Sequence, residues 1–184
     1  MSYIHALIKT ADIVQMDGET IRSVWPPETG FGFGYWSYMI PPFKPDNMLI
    51  LGYGIGQVAE LTRKIWGNQV KITGVDKERC DYKFIEYKIH IMDAYDFVKD
   101  CTGSAIKKRY DYIVIDLFDG GRVPAFVYWP EFAGRLSEMA KRVVSMNLPV
   151  QDITTDFLDC YQSYGFKFLK HDSIEANRVI FWGV

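Results

Sequence analysis

Hydrophobic positions in this chain gather into short runs, and between the runs lie stretches with apolar residues at helical spacing. Met48-Leu49-Ile50-Leu51 carries no polar interruption, which suits a strand covered on both faces. A helix is predicted directly after it, over 57–64. Val70-Lys71-Ile72-Thr73-Gly74-Val75-Asp76 predicts a second strand ending in a carboxylate, with a short helix over 78–83. Tyr87-Lys88-Ile89-His90-Ile91-Met92 predicts a third strand, followed by Asp93-Ala94 and a helix over 95–101. The fourth strand is Tyr110-Asp111-Tyr112-Ile113-Val114-Ile115-Asp116, and 117–127 reads as a loop. Residues 130–140 have helical periodicity, with Phe132, Leu136 and Met139/Ala140 on one face. Arg142-Val143-Val144-Ser145-Met146-Asn147 is the fifth strand, and 153–164 is a helix. Phe166-Lys167-Phe168-Leu169 and Arg178-Val179-Ile180-Phe181-Trp182 flank Glu175-Ala176-Asn177 and predict an antiparallel pair.

Strands alternating with helices imply an α/β fold with a doubly wound, mostly parallel sheet, closed by a C-terminal antiparallel hairpin. A short β-hairpin extension is expected at the N-terminus. There Tyr3-Ile4-His5-Ala6-Leu7-Ile8 and Ile13-Val14-Gln15-Met16 are β-prone, Asp17-Gly18 is a turn dipeptide, and 21–25 is a further short strand. His5 stands alone in its apolar stretch and reads as a packing residue. Residues 25–45 mix glycine and aromatics between Pro26-Pro27 and Pro41-Pro42, too broken for a regular element. That segment is expected either to fold over a pocket mouth or to pack on the core. The division expected is 1–45 for the hairpin and lid segment, and 46–184 for the α/β domain.

Candidate chemistry collects at the carboxyl ends of the predicted strands, where open α/β sheets bind ligands. Gly52-Tyr53-Gly54-Ile55-Gly56 joins the first core strand to its helix, and glycine there permits a sharp turn and close approach of a ligand. The helix N-terminus beyond it offers unpaired N–H groups. Asp76 lies 24 positions after Gly52, where a carboxylate can accept hydrogen bonds from ribose hydroxyls or cap the helix predicted near Lys77. Asp93 and Asp116 end two more strands, so three acids surround one glycine turn. The glycine turn and helix N-terminus favour a nucleotide or a similar adenosine-bearing molecule.

Composition narrows the class. The 184 residues fit one domain, 48% of them are hydrophobic, and the formal net charge is −2. No nucleic-acid or membrane partner is expected from that balance. Lys107-Lys108-Arg109 is the one compact basic run and reads as a solvated loop. Cys80, Cys101 and Cys160 are dispersed, so neither a disulfide framework nor a metal site is expected, and a reducing, cytoplasmic compartment fits.

In this order the motifs resemble the class I S-adenosylmethionine (SAM)-dependent methyltransferase fold, and within it the spermidine synthase-like branch. Leu49-Ile50-Leu51-Gly52-Tyr53-Gly54-Ile55-Gly56 is similar to the family's glycine-rich motif, and Gly74-Val75-Asp76 to its ribose-holding strand end. Met92-Asp93-Ala94-Tyr95-Asp96-Phe97-Val98 resembles the segment whose acid and neighbour bind adenine. Tyr110-Asp111-Tyr112-Ile113-Val114-Ile115-Asp116-Leu117-Phe118-Asp119 resembles the segment whose first terminal acid is the catalytic aspartate of aminopropyltransferases. The hairpin around 13–18 is similar to the one preceding the core there. The resemblance implies SAM or decarboxylated SAM as cofactor and no metal. It implies Gly52, Tyr53, Gly54, Ile55, Gly56, Asp76, Lys77, Asp93, Ala94 and Asp116 around that cofactor, and Asp116 and Asp119 in catalysis. Tyr35, Trp36, Tyr38 and Asn147 are candidates for contact with a small-molecule acceptor, an amine among the options. A homo-oligomer formed through the N-terminal hairpin also belongs to this expectation.

The chain departs from the branch in ways that bear on chemistry. Ile55 stands where aminopropyltransferases carry an aspartate, and Leu117, Phe118 and Gly120 replace the usual small polar residues and proline. Those changes make the acceptor region more apolar and favour methyl transfer over polyamine synthesis. The alternatives are an aminopropyltransferase, a non-catalytic module that keeps the fold, and an NAD-dependent oxidoreductase. The last would want glycine where Gln57 stands.

Overall fold

The computed structural model describes residues 13–17, 20–25, 35–78, 88–103, 109–174 and 177–184. Outside them lie the predicted strand with His5, the turn at Gly18, the 30–34 aromatics, most of the helix predicted at 78–83, Cys80, Lys107-Lys108, and the turn at Glu175. Strands β1 (Ile13–Asp17) and β2 (Thr20–Trp25) pair antiparallel as a two-stranded sheet of their own. The expected N-terminal hairpin is therefore present.

The main sheet has seven strands: β3 (Asn47–Leu51), β4 (Lys71–Asp76), β5 (Lys88–Ile91), β6 (Tyr110–Ile115), β7 (Ala140–Pro149), β8 (Lys167–Ile174) and β9 (Asn177–Gly183). Their order across the sheet is β5-β4-β3-β6-β7-β9-β8. The first five are parallel to one another, and β9 joins β7 and β8 antiparallel. The chain works outward from β3 through β4 to β5, then returns to the other side of β3 as β6. The point where the order reverses, between β3 and β6, is where such sheets open a crevice for ligands.

Alternate side chains of the strands feed two cores. Leu49, Leu51, Ile113, Ile115, Val144, Met146, Ile180 and Trp182 face helices α2 (Ala94–Gly103), α3 (Pro130–Met139) and α4 (Thr155–Ser163). Met48, Ile50, Tyr112, Val114, Val179 and Phe181 face helix α1 (Gln57–Trp66) and a 3₁₀ turn, Tyr35–Met39. A strand with both faces buried has no polar side to show, which is why the central runs are continuously apolar. Under β9, Tyr161 stacks on Trp182 with centroids 5.5 Å apart, and the Tyr161 hydroxyl donates to the Val127 carbonyl at 2.8 Å.

The amino ends of β3 and β6 are tied by a reciprocal clamp. The Asp111 carboxylate accepts from the backbone N–H of Asp46 at 2.9 Å and of Asn47 at 3.0 Å, while the Asp111 N–H donates to the Asn47 side chain at 2.9 Å. Burial pushes this carboxyl up, but the N–H groups of Asn47 and Asp46 and the charge of Lys141 outweigh it and hold it below the ordinary range.

Three boundaries differ from expectation. α3 runs directly into β7, so that strand begins at Ala140 instead of Arg142. β8 extends to Ile174 through the polar run Lys170-His171-Asp172-Ser173, because it is an edge strand with little to bury. The segment before β3 is regular at Tyr35–Met39, where Trp36 and Met39 are buried and anchor a 3₁₀ turn to the core.

Candidate functional site

A cavity of about 430 Å³ opens at the carboxyl ends of β3, β4, β5 and β6. The glycine turn forms its floor. Gly52 has φ +83°, and a Cβ placed there would sit 2.0 Å from the carbonyl oxygen of Asp116. Only glycine lets the ends of β3 and β6 approach that closely. The N–H groups of Gly52 and Tyr53 both donate to the Val75 carbonyl, at 2.9 and 3.1 Å, so the turn is pinned to β4 as well. The Tyr53 ring is buried beneath the turn, close against Gly74, where a Cβ would come within 2.3 Å of it. Gly54 lines the cavity. Ile55 is buried, and neither it nor Gly56 belongs to the lining, so these two shape the turn from behind.

Asp76 ends β4 with both oxygens engaged: one accepts the Gly54 N–H at 2.8 Å, the other the Glu78 N–H at 3.0 Å. The carboxylate thus fixes the glycine turn and the chain after β4 at once, and it still faces the cavity. Each oxygen keeps a further lone pair for a ligand hydroxyl. Asp93 precedes α2 and accepts the Tyr95 N–H at 2.7 Å, which caps the helix. It and Ala94 line the same cavity. Behind them Tyr95 packs on Phe126 with centroids 5.5 Å apart and donates its hydroxyl to Glu131 at 2.9 Å; that hydrogen bond pushes the phenol pKa up.

Asp116 follows β6, its backbone N–H bonded to the Leu51 carbonyl at 2.8 Å. Its carboxylate accepts from the side-chain amide of Asn147 at 3.0 Å. Asn147 is itself buried and does not reach the cavity, so its place is behind Asp116 instead of against a ligand. Asp119 sits on a two-residue turn through Gly120 and Gly121, exchanging both backbone hydrogen bonds with Arg122. Its side chain forms an ion pair with Lys77 at 2.9 Å, bridging the loops after β4 and β6 across the rim of the cavity. Among the aromatic candidates, Tyr35 lines the cavity, Trp36 is buried in the core, and Tyr38 is exposed and outside the lining.

Sequence reasoning did not single out Gln57, Pro124, Phe126 or Asn177, all of which line the cavity. Asn177 arrives there because β9 runs antiparallel and starts beside Pro149, at the carboxyl end of β7. Among the described residues no group of three or more His, Cys, Asp or Glu side chains is arranged to hold a metal, and no helix is long and apolar enough to cross a membrane.

No family model matches the chain, and no curated protein matches it by sequence. Solved structures do match it by shape. Human methyltransferase-like protein 13 in complex with SAH aligns with a TM-score of 0.61 and 21% identity, over 75% of this chain and 71% of that one. A SAM-dependent methyltransferase from Archaeoglobus fulgidus aligns at 0.57 with 18% identity, over 82% and 91% of the two chains. Spermidine synthase from Thermotoga maritima aligns at 0.57 with 15% identity, over 81% of this chain and 59% of its own length. The chain has the class I SAM-dependent methyltransferase fold. A spermidine synthase is among the structures that share it.

Proposed function

We propose that this protein is a SAM-dependent transferase, most simply a methyltransferase acting on a small molecule. The observation that carries the reading is the convergence of Asp76, Asp93 and Asp116 with the glycine turn on one cavity at the switch point of the sheet.

The donor and acceptor chemistry of the lining fits the cofactor. Asp76 presents carboxylate lone pairs to the two ribose hydroxyls from a position already stiffened by Gly54 and Glu78. Asp93 is acceptor-only and matches an exocyclic amine, while Ala94 and Phe126 supply apolar surface for a ring. With no acid in the glycine turn, and the N–H groups of Gly52, Tyr53, Gly54 and Gly56 bonded within the protein, the amino-acid end is left to Gln57 and the first N–H groups of α1. When bound, the sulfonium supplies an activated carbon for displacement. The protein's task is then to hold a nucleophile in line and relieve it of its proton. Asp116 is the group for both, and the Asn147 amide keeps its carboxylate oriented.

Aminopropyl transfer is the second reading, and the feature favouring it is that both Asp116 and Asp119 line the cavity. Isothermal titration with S-adenosylhomocysteine (SAH), decarboxylated SAM and NAD separates the readings. The expected result is SAH binding with no NAD binding. A preference for the decarboxylated form would move the reading to aminopropyl transfer, and NAD binding alone would overturn it. Incubation with labelled SAM and a metabolite pool, followed by mass spectrometry, then identifies the acceptor. Asp116→Asn is expected to lower turnover on that acceptor by roughly two to four decades, the range of general-base loss.

A further inference from the structure

The cavity has two halves, and the second one is unlike a polyamine channel. The sheet order places Asp76, Lys77, Asp93 and Ala94 over β4 and β5. Asp116, Phe118, Tyr35 and Asn177 belong to the other half, over β6, β7 and β9. Tyr35 lines the cavity from a 3₁₀ turn that packs on α1, β7 and β9. Asp119 follows β6 in sequence, yet its ion pair with Lys77 draws its charge back toward the end of β4. A linear diamine carries two ammonium groups and needs carboxylates at both ends of its channel. Here the second acid already holds Lys77 as its partner.

We propose that the acceptor is a compact aromatic or apolar molecule with a single amine or hydroxyl nucleophile, not a linear di- or polyamine. This rests on the transferase reading above and deepens it. The Phe118 and Tyr35 rings give apolar surface for one such molecule, the Asn177 amide gives one neutral polar contact, and Asp116 meets the nucleophile. The balance is complete with those groups. The nucleophile's lone pair forms the new bond to carbon, the pair of the broken S–C bond stays on sulfur, and the nucleophile's proton passes to Asp116. A second ammonium in this half would lose its water and meet Asp119 only by displacing Lys77 from it, which is unfavourable in a partly dry pocket.

The test uses the full chain and three amines of known chemistry. SAH binding is measured first by titration. Phenethylamine, n-butylamine and 1,4-diaminobutane are then titrated into the SAH-loaded protein. The expected order of affinity is phenethylamine, then n-butylamine, then 1,4-diaminobutane, with at least tenfold between first and last. Phe118→Ser should cut phenethylamine affinity at least fivefold, and Tyr35→Leu provides the same test should the first variant fold poorly. Absence of SAH binding overturns the transferase reading and this inference with it. SAH binding with 1,4-diaminobutane equal or tighter, or with none of the three bound, overturns this inference alone.

Discussion

Two glycine turns border the cavity, and the chain holds them in opposite ways. The turn after β3 is fixed from every side: Val75 accepts two of its N–H groups, Asp76 a third, and Asp116 lies where a Gly52 side chain would be. Around Gly120 and Gly121, by contrast, nothing lies within 4 Å of where a Cβ would stand, and the turn is tethered through Lys77 and Asp119, whose side chains are 43% and 70% exposed. Both turns need positive φ. Only the first needs it because two strands meet there. One rim of the site is thus built into the sheet, and the other hangs over it on a solvent-screened contact.

Gly52→Ala should break the first rim outright. Overpacking against backbone at about 1–3 kcal/mol adds to about 1–2 kcal/mol for a left-handed alanine. A stability loss of roughly 2–5 kcal/mol is therefore expected from urea unfolding. A loss below about 1 kcal/mol would mean that the ends of β3 and β6 are less tightly joined than described.

Asp76→Ala comes next. On the transferase reading it removes the ribose contacts, and SAH affinity should drop by about one to three decades, at about 1.4 kcal/mol per decade. The Gly54 and Glu78 N–H groups also lose their acceptor, so a fall in stability of about 1–3 kcal/mol should accompany it. Asp76→Asn keeps one acceptor oxygen and should land between wild type and alanine in both titrations. An unchanged SAH affinity in the alanine variant would remove Asp76 from the site.

The second rim should respond weakly. Gly120→Ala meets only the conformational term and should lower stability by about 1 kcal/mol. Lys77→Met removes the exposed ion pair and should change stability by less than about 1 kcal/mol, with the wild-type difference shrinking further in high salt. A larger, salt-insensitive effect at Lys77 would show that the second rim is as firmly built as the first.

Much of this asymmetry was invisible in the sequence. Gly52-Tyr53-Gly54-Ile55-Gly56 and Gly120-Gly121 both read as turns; what separates them is a strand crossing 64 residues away, at Asp116. The parallel core was legible because strands buried on both faces are continuous apolar runs ending in acids. The length of β8 was not, since an edge strand has little to bury and Lys170-His171-Asp172 carries no apolar signal. Tyr35, Trp36 and Tyr38 looked equivalent, yet a 3₁₀ turn sends neighbouring side chains in different directions, and only Tyr35 lines the cavity. Asn147 reads from its strand position as an acceptor contact, but it is buried behind Asp116. Lys77 and Asp119 were each candidates, but their pairing depends on three-dimensional proximity that no local pattern encodes.

The junction at Met139 and Ala140 has an engineering consequence. Helix passes to strand there with no connecting residue, and the Ala140 N–H still donates to the Leu136 carbonyl. Rotation of α3 and the register of β7 are consequently coupled, with one irregularity in the pairing between Ala140 and Val143. One residue inserted in β7 beyond the irregularity between Ala140 and Val143 would turn the side chains that follow to the other face, moving Met146 out of one core and Asn147 away from Asp116 in the same step. Inserted chain therefore does not belong at this seam.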